Sequence, residues 1–199
     1  MKYLKMLGLA AVAAMALMAI GASAASATTL EVGGVAKNSA VTITASLEPG
    51  TSAILKDELG STTDTCTEST VHGATVSPFT ATNSNPIGGP VSTLDFGNCS
   101  HTTDVIANGS LSVSWINGTT DGTVSSSGAQ VKVRSTFFGI TANCDTGAGT
   151  DIGRLTGTGD TSKHATMDIS ATLDCTALGN GTWTGSYTVT SPTGLGVVQ

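Results

Sequence analysis

The chain is predicted to be all-β, an antiparallel β-sandwich with a β-barrel as the alternative, preceded by an export signal. Three observations predict it. Thr supplies 34 of the 172 residues after position 27, and Val and Ile supply another 22, so about a third of that part is β-branched. Such side chains are stiff at χ1 and suit a pleated surface better than a helix. Apolar and hydroxyl residues alternate with period two over long runs, which places one set on each face of a strand. The dipeptides Asn108-Gly109, Asn117-Gly118, Asp121-Gly122 and Asn180-Gly181 punctuate those runs, and each accepts the positive φ of a tight hairpin turn.

The N-terminal segment comes first. Lys2 and Lys5 form a short basic region, Met6 to Ile20 is an apolar run of 15 residues, and Ala25-Ser26-Ala27 supplies small residues before a cleavage bond. This is the pattern of a secretory signal over residues 1–27, cut at Ala27-Thr28, with Ala24-Ala25 as a second fitting bond. Fifteen apolar residues fall short of the roughly 20 needed to span a bilayer, so no membrane span is expected in the mature chain. Residues 28–199 read as a single secreted domain.

Export sets the chemistry of the cysteines. Cys66, Cys99, Cys144 and Cys175 are an even number in a disulfide-permissive compartment, with no C-x-x-C spacing and no histidine at zinc-ligand spacing. Structural disulfides are expected, and no metal. Of the three possible connectivities, Cys66 with Cys99 and Cys144 with Cys175 is favoured, because each then closes roughly 30 residues within one half of the chain.

The strands follow in order. Val41, Ile43, Ala45 and Leu47 share a face in a first hairpin, Leu30 to Leu47, that is expected to turn at Lys37-Asn38. Asn85 to Pro90 breaks the chain before a strand from Val91 to Phe96, and Gly97 interrupts the alternation ahead of Cys99. Leu111, Val113 and Trp115 alternate with serines, and Val131 and Val133 with polar residues. The longest run puts Ala165, Met167, Ile169, Ala171, Leu173 and Cys175 on one face; Trp183, Tyr187 and Val189 repeat the pattern. Ten to twelve half-buried strands are expected, the number for two sheets packed face to face.

Four stretches carry a family likeness: Ala25-Ser26-Ala27-Thr28-Thr29-Leu30, the hairpin Leu30 to Leu47, Val91-Ser92-Thr93-Leu94 running into Cys99, and the ending Trp183 to Pro192. Through them the chain resembles small secreted proteins of unknown function from high-GC Gram-positive bacteria, of actinobacterial type. The resemblance implies secretion and an all-β fold, and assigns no catalytic or binding residue.

Charge and motifs narrow the function. Without Lys2 and Lys5, six basic residues face 14 acidic ones, which excludes the basic footprint that nucleic acid or an anionic membrane requires. No nucleophile elbow or S-x-x-K motif occurs, so no catalytic residue and no cofactor is assigned. His72, His101 and His164 read as polar residues near strand ends. Trp115, Trp183 and Tyr187 fall on the apolar side of their strands, where they pack rather than stack on a sugar. Gly147 to Asp151, with Asp145 nearby, loosely follows the phrase of calcium-binding β-rolls, but as one copy where stacked copies are needed. The expected function is a non-catalytic secreted or cell-surface domain, associating with an extracellular or cell-envelope partner. The alternative is a secreted hydrolase or a small-ligand or carbohydrate-binding protein, which a deep cleft collecting a histidine and two or more carboxylates would favour.

Overall fold

A computed structural model describes residues 28–76, 86–134 and 139–199. Residues 1–27, where the signal segment and Ala27 of its cleavage bond are expected, lie outside them. The described residues form strands and turns without helix. They comprise β1 (Thr29–Val32), β2 (Val35–Ala36), β3 (Thr42–Leu47), β4 (Ala53–Lys56), β5 (Thr62–Ala74), β6 (Ile87–Cys99), β7 (Thr102–Ala107) and β8 (Ser110–Trp115). The second half adds β9 (Gly122–Ser127), β10 (Gln130–Arg134), β11 (Thr141–Asp145), β12 (Thr150–Thr156), β13 (Thr166–Cys175), β14 (Gly179–Ser191) and β15 (Leu195–Val198).

Of the two all-β arrangements, the chain adopts the barrel, not the sandwich. β14 pairs on one side with β13, from Thr166↔Thr188 to Cys175↔Gly179, and on the other with both β3 and β4. β3 and β4 also both pair with β5, so together they fill one strand position, interrupted by the loop between them. From β5 the wall continues through β6, β8, β9 and β12 back to β13. All eight positions therefore have neighbours on both sides. Closure removes the exposed edges that a sandwich of these strands would leave.

Every pairing is antiparallel, so period two sends one set of side chains inward. On β13, Met167, Ala171, Leu173 and Cys175 are buried, with Ala165 just ahead of the strand. On β14 the buried set is Trp183, Tyr187 and Val189. Thr166, Ser170 and Thr172 face out opposite Thr188, Thr184 and Thr182, which gives the barrel a hydroxyl-rich outer wall. Inside, the Trp183 ring meets Phe96 edge-on, with centroids 4.7 Å apart. Burial pushes the Tyr187 phenol above its ordinary value, partly offset by Ser69, to whose hydroxyl it donates at 3.0 Å.

The two barrel ends differ. At one, a three-stranded sheet in the order β15-β1-β2 lies across the opening and buries Leu30, Leu195 and Val197. The Trp115 amide donates to Thr28 Oγ1 there, at 3.2 Å. At the other end, β7, β10 and β11 form an arc that joins β13 through Cys144↔Cys175 and Asp145↔Asp174. The disulfides Cys66–Cys99 and Cys144–Cys175 both belong to this end, and each links residues already paired across neighbouring strands.

Several turns depart from the dipeptide reading. The first hairpin is β1–β2, turned at Gly33-Gly34 with φ of 63° and 73°, instead of at Lys37-Asn38. β3 belongs to the barrel and not to that hairpin. Glycine adopts positive φ at no steric cost, and Gly-Gly is one of the pairs a tight hairpin turn with two successive positive φ values favours. The turn before β14 lies at Ala177 to Gly179, both with φ of 70°, so Asn180-Gly181 is strand instead. Asp121-Gly122 is likewise strand entry. Asn108-Gly109 makes a corner between β7 and β8, which do not pair, and only Asn117-Gly118 sits in a hairpin loop, between β8 and β9. The interruption at Gly97 leaves the pairing intact: one register runs from Cys66↔Cys99 to His72↔Thr93. The change of face is taken at Asn98, φ 50°, and is matched on β5 between the buried Cys66 and the buried Ser69.

Candidate functional site

Three turns and two strand ends meet at the disulfide end of the barrel and enclose a pocket of about 420 Å³. The β4–β5 turn contributes Asp57 and Ser61, with Thr62 and Thr63 following. The β6–β7 turn contributes His101, and the β13–β14 turn contributes Leu178. Val133 of β10, Ala142 of β11 and the exposed Ile140 add apolar lining beside these hydroxyls. A pocket of this size with a few convergent polar groups is the ordinary form of a small-molecule site.

Beneath the rim lies Asp64, fully buried. It shares the inward face of β5 with Cys66 because the two are separated by two residues. Its Oδ1 accepts hydrogen bonds from the Thr65 amide at 2.9 Å, the Ser100 hydroxyl at 2.8 Å and the His101 amide at 3.0 Å. Its Oδ2 accepts one from the Thr103 hydroxyl. A buried carboxylate is tolerable only when its lone pairs are satisfied in this way. Asp64 thereby ties β5 to the β6–β7 turn and to β7, and it holds the backbone on which His101 is displayed.

His101 brings chemistry to the pocket. Its Nδ1 stands 3.3 Å from Ser100 Oγ and 3.7 Å from Asp64 Oδ1, with the side chain about a quarter exposed. The three residue types match a hydrolase triad, but the connectivity does not. In a triad the imidazole lies between the other two, taking the serine proton on one nitrogen and donating from the other to the carboxylate. Here the serine donates directly to the carboxylate, and both sit on the same side of the ring. The other carboxylate at the pocket, Asp57, accepts the Leu59 and Ser61 amides at 3.0 and 2.8 Å and shapes its own turn. Replacing Asp64 with Ala should cost about 3 kcal/mol, because two hydroxyls and two amides lose their common acceptor. Urea denaturation measures this, and an unchanged midpoint would show that the four donors find other partners.

The remaining candidates are dispersed. His72 Nδ1 lies 3.1 Å from Thr44 Oγ1 on the barrel wall, and His164 Nδ1 lies 2.8 Å from the Val189 carbonyl. Asp145 accepts the Gly147 amide in the turn between β11 and β12, and Asp151 accepts the Gly153 amide at the register shift within β12. Trp183 and Tyr187 are buried, and Trp115 donates its indole N–H to the Thr119 carbonyl. Asp64, Cys66 and Cys99 are close enough to suggest a metal-ligand group, but both sulfurs are in the disulfide. Sequence reasoning missed Asp64 and the pocket above it. The readable signal was a carboxylate in phase with the buried Cys66. No family model matches this chain, and neither a curated protein nor a solved structure matches it.

Proposed function

We propose that the chain is exported and acts as a non-catalytic binding domain at the cell envelope. Its pocket at the disulfide end receives a small ligand, or a short segment of a larger one, with one apolar and one hydrogen-bonding side. The observation that carries this reading is the pocket's composition. Val133, Ile140, Ala142 and Leu178 line it together with the hydroxyls of Ser61, Thr62 and Thr63, while the nearby carboxylates are engaged in holding turns. A hydrolase would need a nucleophile poised to give its proton to a base, and the hydroxyl beside His101, that of Ser100, donates to Asp64 instead. Two disulfides support an oxidising compartment. No helix among the described residues is long and apolar enough to cross a membrane. The resemblance to actinobacterial secreted proteins points the same way.

The test is to express the full chain in an actinobacterial host and separate medium, wall and membrane. Mass spectrometry should find a mature chain beginning at Thr28 or Ala25 in medium and wall. The purified mature chain should sediment with isolated cell walls, and Leu178→Arg should weaken that association by about tenfold or more, corresponding to ~1.4 kcal/mol. Uncleaved chain held in the membrane would overturn the export reading. Turnover of chromogenic ester or glycoside substrates that His101→Ala abolishes would overturn the non-catalytic one.

A further inference from the structure

The barrel interior is not completely filled. Two apolar lobes of about 100 and 90 Å³ lie along its axis, and Val71, Val91, Leu111 and Met167 line both. They are distinct from the pocket at the disulfide end. Val131 and Cys144 face the larger lobe, whereas Val133 and Ala142, the next inward positions on the same two strands, face the end pocket. Native interiors pack to crystal-like density with few voids larger than a water molecule, so paired lobes of this size are unusual. An apolar cavity of about 150 Å³ stays dry and takes up benzene or xenon.

The larger lobe also has a route to solvent. The strands of the disulfide end join those of the barrel wall at three corners, Asn108-Gly109, Gly128-Ala129 and Thr146 to Gly149. Asn108, Ala129 and Thr146, all half-buried, line the lobe. Beside them the buried Ser126 hydroxyl also lines the lobe and pairs with Thr146 Oγ1 at 3.2 Å. Among the described residues no charged side chain lines either lobe, so an ionised ligand would lose its hydration without a partner.

We propose that the barrel interior is a second binding site, for an uncharged, mainly apolar molecule the size of one aromatic ring or a short alkyl chain. The ligand enters at the corner seam and sets any single polar group against Ser126 and Thr146. This site stands independently of the envelope-binding reading, since it shares no residue with the end pocket.

The probe is benzene, with benzoate as the charged control, added to the mature disulfide-bonded chain. Benzene should raise the melting midpoint by about 3 °C or more near saturation, through binding to the folded state alone, and benzoate should not. Methyl NMR should place the benzene-induced shifts at Val71, Leu111, Met167 and Ile152. Ala171→Leu, which fills the larger lobe from β13, should abolish the effect. The proposal is overturned if benzene leaves midpoint and methyl signals unchanged, if the shifts fall at Val133, Ile140 and Leu178, or if a folded Ala171→Leu variant still binds. Should that variant not fold, the methyl shifts of the unmodified chain decide alone.

Discussion

Reducing both disulfides should lower the melting midpoint of residues 28–199 by about 15 to 25 °C, the largest effect expected of any change considered. Each bridge closes a loop of just over 30 residues, with separations of 33 and 31, and removing one such constraint from the unfolded chain costs roughly 3 to 4 kcal/mol. For a domain of this size about 1 kcal/mol moves the midpoint by 2 to 4 °C. The bridges join residues that the sheet already pairs, so the native register gains little from them; their effect falls on the denatured ensemble. Calorimetry with and without reductant measures it. Non-reducing peptide mapping should recover Cys66 with Cys99 and Cys144 with Cys175. Four free thiols, a crossed pair, or an unmoved midpoint would contradict this account.

Trp183→Ala should destabilise the domain by about 3 to 5 kcal/mol, the range for truncating a buried aromatic. The indole is 6% exposed, meets Phe96 edge-on, and sits in register between Leu55 of β4 and Ala171 of β13. It also lines the larger interior lobe, so truncation enlarges a void that is already present. The cost of a large-to-small change rises with the volume left behind. Trp183→Phe should recover much of the loss. A chemical-denaturation midpoint that stays put in Trp183→Ala would place the ring on the surface and return it to the role of a sugar-stacking platform.

The candidate site shows how far local pattern reaches. Asp64 was readable as inward-facing from its spacing to Cys66, and His101 as a turn residue from its place after Cys99. Their meeting was not. Ser100, His101 and Thr103 are 36 to 39 residues from Asp64 in sequence, and they reach it because β5 and β6 pair at Cys66↔Cys99 and the chain then turns back over the barrel end. The pocket above is more distributed still. Leu178, Val133 and Asp57 come from turns and strand ends that share no sequence spacing.

Turn chemistry was only partly local. Asn180-Gly181 carries a strong hairpin signal, yet the ten-residue ladder between β13 and β14 sets the turn earlier and accepts a positive φ at Ala177. The energy of that ladder outweighs the strain of one alanine. In the same way, Lys37-Asn38 yields to Gly33-Gly34 because β1 needs β15 on its other edge, so β3 is free to enter the barrel.

By itself the sequence determined that this chain makes strands, and which face of most of them turns inward, because β-branched content and period two act within a few residues. Only the tertiary structure decided between sandwich and barrel. The deciding contacts are those of β14 with β13 on one side and with β3 and β4 on the other, and β3 lies some 140 residues away. A strand with a buried face meets its needs equally well in a flat sheet or a closed one. Which it joins depends on whether the last edge finds a partner, and no local pattern carries that information.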